Sequence, residues 1–278
     1  MRIGFVGLGD QGAPMARAIA AAGWPLAVWA RRPESFEALA GVAHERCATL
    51  GELADRSDLV GLCVRSDDDV AAVLDKGGLL AQLAPGSVVA NHGTGSPALA
   101  AALAERWQRC GISILDAPVS GGGDGARQRT LTVMVGGDRE AYERSRPVFA
   151  SFARSIEHLG PAGSGQVAKL LNNALYAANL RNAGELLALA EGLGLEVRRL
   201  AELVLTSSGA SFALDALCHR IAPDQVEGYQ ALVGKDLAHF AEVASAAALA
   251  RSPLQDAADA GIAGLGAAVG RLRAESEG

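Results

Sequence analysis

The chain is poor in aromatic residues, in cysteine and in positive charge, and each shortage narrows what it can do. Trp, Tyr and Phe together make 4% of its 278 residues, too few for the stacking platforms on which single-strand nucleic-acid binders rely. Lys and Arg number 25 against 31 Asp and Glu, a formal net charge of −6, the wrong sign for gripping a phosphate backbone by counterion release. Both observations argue against nucleic acid as a partner. Hydrophobic residues reach 50%, yet no uninterrupted apolar run approaches the roughly 18 residues of a membrane span. The four cysteines, Cys47, Cys63, Cys110 and Cys218, are widely spaced without a C-x-x-C pair, which speaks against a zinc site or a disulfide frame. We read all four as reduced thiols packed in the core. His44, His92, His158, His219 and His239 show no ligand spacing, so no metal is expected. Met1–Val6 runs directly into a strand pattern rather than a charged leader, and a cytoplasmic location is expected.

What is present divides the chain in two. Up to about residue 160, short apolar runs alternate with helix-like stretches. Strands are expected at Arg2–Val6, Leu26–Ala30, Leu59–Val64, Val88–Asn91, Ser113–Asp116 and Leu131–Val135, with helices such as Ala13–Ala22 and Pro97–Arg109 between them. That alternation suggests βαβ units on a parallel sheet. From Gly165 onward apolar residues recur at helical spacing, with breaks near Gly192–Gly194, Thr206–Gly209 and Ala222–Asp224. Gly165–Glu191 contains no proline and reads as one helix long enough to join two domains. The expected fold is an α/β domain over residues 1–162 followed by an all-helical domain over 163–278, joined by that long helix. The polar tail 271–278 is expected to fray.

Gly7-Leu8-Gly9-Asp10-Gln11-Gly12 is a G-x-G-x-x-G between the first strand and the first helix. Gly7 allows the tight turn, Gly9 lets the backbone approach a pyrophosphate, and Gly12 lets helix and strand pack while the helix N-terminus faces the anion. A Rossmann-type dinucleotide site is therefore expected. At the end of the second strand, where an acid would hold a ribose 2′-hydroxyl, the chain has Arg31 and Arg32. A guanidinium fork matches a 2′-phosphate, so NADP is preferred over NAD.

Lys169 and Asn173 lie i, i+4 on the long helix and share a face. A lysine can exchange the proton of a carbonyl or hydroxyl oxygen while an amide orients the same group. Upstream, Ser120 is followed by Gly121, Gly122 and Gly123 at the end of a strand, where successive backbone N–H groups can form a concavity for a carboxylate.

In these residues the chain resembles the β-hydroxyacid dehydrogenases, the group of 3-hydroxyisobutyrate, tartronate semialdehyde and succinic semialdehyde reductases related to 6-phosphogluconate dehydrogenase. The resemblance rests on Gly7–Gly12, on Asp116–Ala126 with Thr130-Leu131 and Met134–Gly137, on Gly163–Asn173 and on Lys235-Asp236-Leu237. It implies Lys169 as the catalytic acid/base, Asn173 as a catalytic and substrate-orienting residue, and Ser120, Gly121 and Gly122 as the carboxylate cradle. It implies further cofactor contacts from Leu8, Asp10, Gln11, Val64, Thr94 and Lys235, and a homodimer or homotetramer, for which Ala-rich helices such as Ala241–Ala250 could supply close packing.

The chain departs from the family pattern at Asn91 and Gly93, where Asp and Ser are usual, and at Arg129, where Gly is usual. Ser66 replaces a common Pro and Ala30 a usual Asn. Arg129 either folds toward the substrate as a second anion anchor or points to solvent, and His92 is expected to be a solvated loop residue. An imine reductase and a catalytically silent NADP-binding module are the alternatives. Both tend to lack the lysine found at Lys169.

Overall fold

The computed structural model describes residues 1–274, and they form two compact units, the first Met1–Lys169 and the second beginning at Leu170.

In the first unit β1 (Ile3–Val6), α1 (Gly12–Ala21), β2 (Leu26–Trp29), β3 (Glu45–Arg46), α2 (Leu50–Asp55) and β4 (Leu59–Leu62) follow in order. Next come α3 (Asp67–Ala71), α4 (Leu79–Gln82), β5 (Val88–Asn91), α5 (Pro97–Gln108) and β6 (Ser113–Asp116). The unit closes with β7 (Val119–Ser120), α6 (Gly122–Arg127), β8 (Leu131–Gly136), α7 (Arg139–Phe149) and β9 (Ala153–Gly160). The strands form one sheet in the order β3-β2-β1-β4-β5-β6-β8-β7, with β9 paired to β8. Pairing is parallel from β3 to β6, as the βαβ pattern predicts, but β8 runs antiparallel to β6 and to β7. The expectation of a wholly parallel sheet is corrected there. The link from β6 to β8 runs through the tight β7–α6 excursion, and it lacks the right-handed helical crossover that brings successive strands parallel.

β1 and β4 are buried along their length and β5 up to Ala90, which is why they read as short apolar runs. β9 escaped the sequence reading because it is a polar strand, Ala-Arg-Ser-Ile-Glu-His-Leu-Gly, half-exposed at the sheet margin. Apolar side chains pack on the two faces of the sheet: Ile3, Phe5, Met15, Phe149 and Phe152 on one, and Leu53, Val60, Leu62, Leu74 and Val89 on the other. Cys47 joins this packing, but Cys110 is exposed. Lying beyond the end of α5, in the turn that leads into β6, Cys110 has no face to bury, which corrects its assignment to the core.

α8 (Ser164–Gly192) is the expected long helix, running from the end of the first unit through the start of the second. In the second unit it is followed by α9 (Val197–Leu205), α10 (Phe212–His219), α11 (Val226–Ala246), α12 (Pro253–Ala263) and α13 (Leu265–Ala274). The core here is mostly small or unbranched at Cβ: Ala174, Ala177, Leu187, Ala201, Leu214, Leu217, Ala258 and Leu265. Small residues let helix backbones approach, and a Cβ at Gly261 on α12 would collide with the Ala177 carbonyl oxygen of α8. Two expectations are corrected. The helix over Ala241–Ala250 ends at Ala246, with Ala248 in the left-handed region at φ 53°. Arg271–Ala274 do not fray but continue α13, where Arg271 donates to Glu191 at 3.0 Å; residues 275–278 lie outside the described residues. Among the described residues no helix is long and apolar enough to cross a membrane.

Candidate active site

The G-x-G-x-x-G loop links β1 to α1, and its glycines do different work. Gly7 sits at φ 95°, and a Cβ there would collide with the Cys63 carbonyl oxygen at the end of β4. At Gly12 it would strike the carbonyl oxygen of Gly7, so this residue sets how closely helix and strand approach. At Gly9 a Cβ would meet nothing within 4 Å. The loop thus leaves an open cradle over Gly9 that any side chain would fill. α1 begins at an uncapped Gln11 with no acid in its first turn, so its positive end is not neutralised by its own residues. The one carboxylate in the loop, Asp10, is drawn to Arg127, which donates to it and to Asp124 at 2.8 Å each. These features fit a bound dinucleotide pyrophosphate.

Beyond β2, the Arg31 side chain is 76% exposed, with its guanidinium 3.4 Å from Asp69. Arg32 lies 3.8 Å from Glu34. The run Asp67–Asp69 is the first turn of α3, with the Asp69 N–H donating to Ser66 Oγ at 3.2 Å. Ser66, the departure from Pro, is therefore a helix cap. Asp67 ties this turn to the start of α5, since its Oδ2 accepts the Ser96 N–H at 3.0 Å.

The loop after β5 carries Asn91, His92, Gly93 and Thr94. His92 is not a solvated loop residue: it is 3% exposed, Nδ1 lies 2.9 Å from the Ala117 carbonyl, and its ring is edge-on to Phe149 and Phe152. Desolvation holds it neutral, lowering its pKa to about 4. The sequence reading failed because His92 adjoins a buried strand, and its side chain turns into the aromatic core beneath the loop. The departures at Asn91 and Gly93 form a pair. Asn91 Oδ1 accepts the Gly93 N–H at 3.0 Å, and a Cβ at Gly93 would lie 2.7 Å from the Val64 carbonyl oxygen. Val64 and the residue preceding Thr94 thus meet through backbone alone.

Two buried polar side chains fix the start of α8. Asp116, at the end of β6 and 1% exposed, accepts the N–H groups of Gly163 at 2.7 Å and Gln166 at 2.8 Å. Burial pushes its carboxyl up, and those N–H groups pull it down. Gln166 is fully buried, accepting the Gly95 N–H at 3.0 Å and donating to the Gly93 carbonyl at 2.8 Å. Lys169 follows one turn later and is itself 8% exposed, against the usual solvated state of a helical lysine.

Ser120 ends β7, and the glycines after it are ordered as the start of α6, with Gly121 at φ 130° and Gly122 at φ 66°. Arg129 stands at φ 58°, a conformation that explains why glycine is usual there. With Arg17, Arg127 and the loop residues Leu8, Gly9 and Asp10, it lines an open cleft of about 610 Å³ on the outer side of α1, which does not include the Ser120–Gly122 turn.

In the second unit Asn173 Nδ2 donates to Asp236 Oδ2 at 2.6 Å, and Asn173 Oδ1 accepts from Asn172 at 3.1 Å. Asp236 is 3% exposed, and its Oδ1 lies 3.3 Å from Lys235 Nζ. The expected residues Asn173 and Lys235 are thereby tied to one carboxylate. Asp236, Asp116 and Gln166 are the polar residues that sequence reasoning passed over. All three lie inside quoted motifs, but their partners are distant in sequence, and no local spacing announces them.

Comparison with known proteins assigns the family. The family model for the NAD binding domain of 6-phosphogluconate dehydrogenase matches residues 2–160. The model for the NAD-binding domain of NADP-dependent 3-hydroxyisobutyrate dehydrogenase matches residues 163–273. An NAD-dependent L-serine dehydrogenase of Pseudomonas aeruginosa is 38% identical over 257 residues, 89% of this chain and 86% of that protein. A 3-hydroxyisobutyrate dehydrogenase of Mycobacterium tuberculosis, solved with L-serine, superposes with TM-score 0.81 at 29% identity, covering 98% of this chain and 100% of that one. An imine reductase of Myxococcus stipitatus, at 20% identity and TM-score 0.60 over 98% of each chain, shares the fold. With both units matched and the motif residues in place, the chain belongs to the β-hydroxyacid dehydrogenase family of nicotinamide-dependent oxidoreductases.

Proposed function

We propose that the protein is an NADP-preferring dehydrogenase that interconverts a small β-hydroxyacid and its semialdehyde acid, with Lys169 as the general acid/base. The observation that carries this reading is a buried lysine one helical turn from an amide that is itself held by a buried carboxylate. A dinucleotide would be held by the Gly7–Gly12 loop, with contacts from Val64, Thr94 and Lys235. When bound, the nicotinamide supplies or accepts the hydride. Lys169 Nζ takes the proton from the substrate hydroxyl in oxidation and returns it to the carbonyl oxygen in reduction. Asn173, its Nδ2 oriented by Asp236, holds the reacting oxygen in register, and the backbone N–H groups of Ser120–Gly122 take the carboxylate. Asp116 and Gln166 fix the first turns of α8, so Lys169 is placed without reorganisation when substrate arrives.

NADP preference rests on Arg31 and Arg32, whose exposed guanidinium groups stand where an acid would reject a 2′-phosphate. The name of the P. aeruginosa relative makes L-serine a substrate to test, alongside 3-hydroxyisobutyrate and the two semialdehydes. The test is turnover with NADPH, NADH and their oxidised forms on this panel together with cyclic imines, in the wild type and Arg31→Ala. Hydroxyacid or semialdehyde turnover is expected, and Arg31→Ala should weaken NADPH by about 10- to 150-fold while leaving NADH nearly unchanged. Turnover of imines alone would sink the reaction class, and equal losses for both cofactors would remove the preference.

A further inference from the structure

In the helical unit the aromatic residues are concentrated rather than spread. Beyond Leu170 they are Tyr176, Phe212, Tyr229 and Phe240, in a core otherwise aliphatic and rich in Ala and Leu. The first three are in contact. The Tyr176 and Tyr229 hydroxyls lie 2.8 Å apart, and the Phe212 ring meets Tyr176 at 5.9 Å, tilted 62°. Both tyrosines are half-buried, while Phe212 is 54% exposed. Arg220 covers the Phe212 ring with its guanidinium 4.8 Å from the centroid, and donates to Asp215 at 2.6 Å.

The position of this cluster follows from helix periodicity. On α8, Lys169, Asn173 and Tyr176 stand at i, i+4 and i+7, along one face. On α11, Tyr229 and Asp236 are likewise i and i+7. The Asn173–Asp236 bond and the Tyr176–Tyr229 bond therefore lie along the same seam between the two helices. Asn173 and Tyr176 are separated by about 4.5 Å of helix rise, within the span of a three- or four-carbon acid.

We propose that the Tyr176–Tyr229 hydroxyl pair, walled by Phe212, is the subsite that reads the C2 substituent of the hydroxyacid, selecting a hydroxyl there over a methyl. The inference rests on the reading of Lys169 and Asn173 as the substrate-handling pair. Two phenolic hydroxyls carry two donor hydrogens and four acceptor positions. Their mutual bond uses one of each, so hydrogen-bonding capacity remains for a ligand. Burial raises the pKa of both phenols, which keeps them protonated and able to donate. A substrate hydroxyl can both donate to and accept from such a pair. A methyl would strip water from it and return no bond, the kind of mismatch a polar site rejects.

The experiment compares kcat/KM for glycerate and for 3-hydroxyisobutyrate, with both dinucleotides, in wild type, Tyr176→Phe and Tyr229→Phe. Wild type should favour glycerate. Each phenylalanine variant should lose about 10- to 100-fold on glycerate, chiefly through KM, with 3-hydroxyisobutyrate unchanged or improved. A second readout is the rise in Tm produced by saturating glycerate, which should shrink in both variants. Preference of the wild type for the methyl substrate would overturn the subsite, as would an unchanged substrate ratio and Tm response in both variants. Failure of the wild type to turn over any hydroxyacid would overturn the proposed reaction, and the subsite with it.

Discussion

The two units solve the problem of presenting polar groups from an apolar body in opposite ways. The first works mainly with backbone. Its β1–α1, β5 and β7–α6 turns place peptide N–H and C=O groups at strand ends, and glycine is required where a Cβ would strike a carbonyl, as at Gly7, Gly12 and Gly93. The second unit has its backbone groups closed within long helices, so it works with side chains projected from helix faces: Asn173, Tyr176, Tyr229 and Asp236. A backbone site announces itself in sequence as glycines at fixed offsets. A side-chain site announces only an i, i+4 spacing, which most helices show by chance.

The comparison is tested most sharply at Lys169, the side chain at the junction of the two strategies. Lys169→Ala should lower kcat by about 10²- to 10⁴-fold while fluorescence titration shows NADPH binding retained, because Lys169 lies outside the Gly7–Gly12 loop proposed to hold the dinucleotide. Normal turnover would remove Lys169 from the mechanism, and loss of NADPH binding would show that the cradle depends on this helix.

Next in size is the buried histidine of the first unit. The folded pKa of His92, about 4, lies below the ordinary 6.5, so the unfolded chain binds the extra proton. The contribution is fully present above pH 6.5 and is lost as pH falls toward 4, amounting to about 3 kcal/mol by the lower end. Urea unfolding at pH 7 and pH 4.5 should show a smaller stability loss for His92→Gln than for the wild type. Identical losses would place the acid lability elsewhere.

In the second unit Gly261→Ala should destabilise by about 1–3 kcal/mol, the range for overpacking, because the new methyl must push α12 from the Ala177 carbonyl of α8. Thermal unfolding checks this, and an unchanged Tm would mean that the helices yield freely. The smallest effect is expected at Arg129→Gly. Relief of the left-handed conformation at φ 58° should raise stability by about 1 kcal/mol, with equal kinetics on monocarboxylate and dicarboxylate semialdehydes. Selective loss on the dicarboxylate would make Arg129 a second anion anchor.

The pattern of legibility follows the same division. Val88–Asn91 and Ser113–Asp116 were readable because their buried centres, Val88–Ala90 and Ile114–Leu115, are apolar and bounded by polar residues. The long helix was readable because nothing in it breaks helical periodicity. β9 was not, since a half-exposed strand of mixed polarity carries no clean alternation. His92 misled because a histidine beside a loop is usually wet, and only the packing of Phe149 and Phe152 from a distant segment makes that position dry.

By itself the sequence determined the dinucleotide turn, the change from α/β to all-helical texture, and the lysine and asparagine one turn apart, because each depends on neighbours within a few residues. Only the tertiary structure decided that Asp116 and Gln166 anchor the start of α8, that Asp236 holds Asn173, and that Tyr176 meets Tyr229. These pairs are separated by 47 to 73 residues, and their bonds form only where sheet pairing or helix packing has already brought distant segments together and excluded the water that would otherwise satisfy each group.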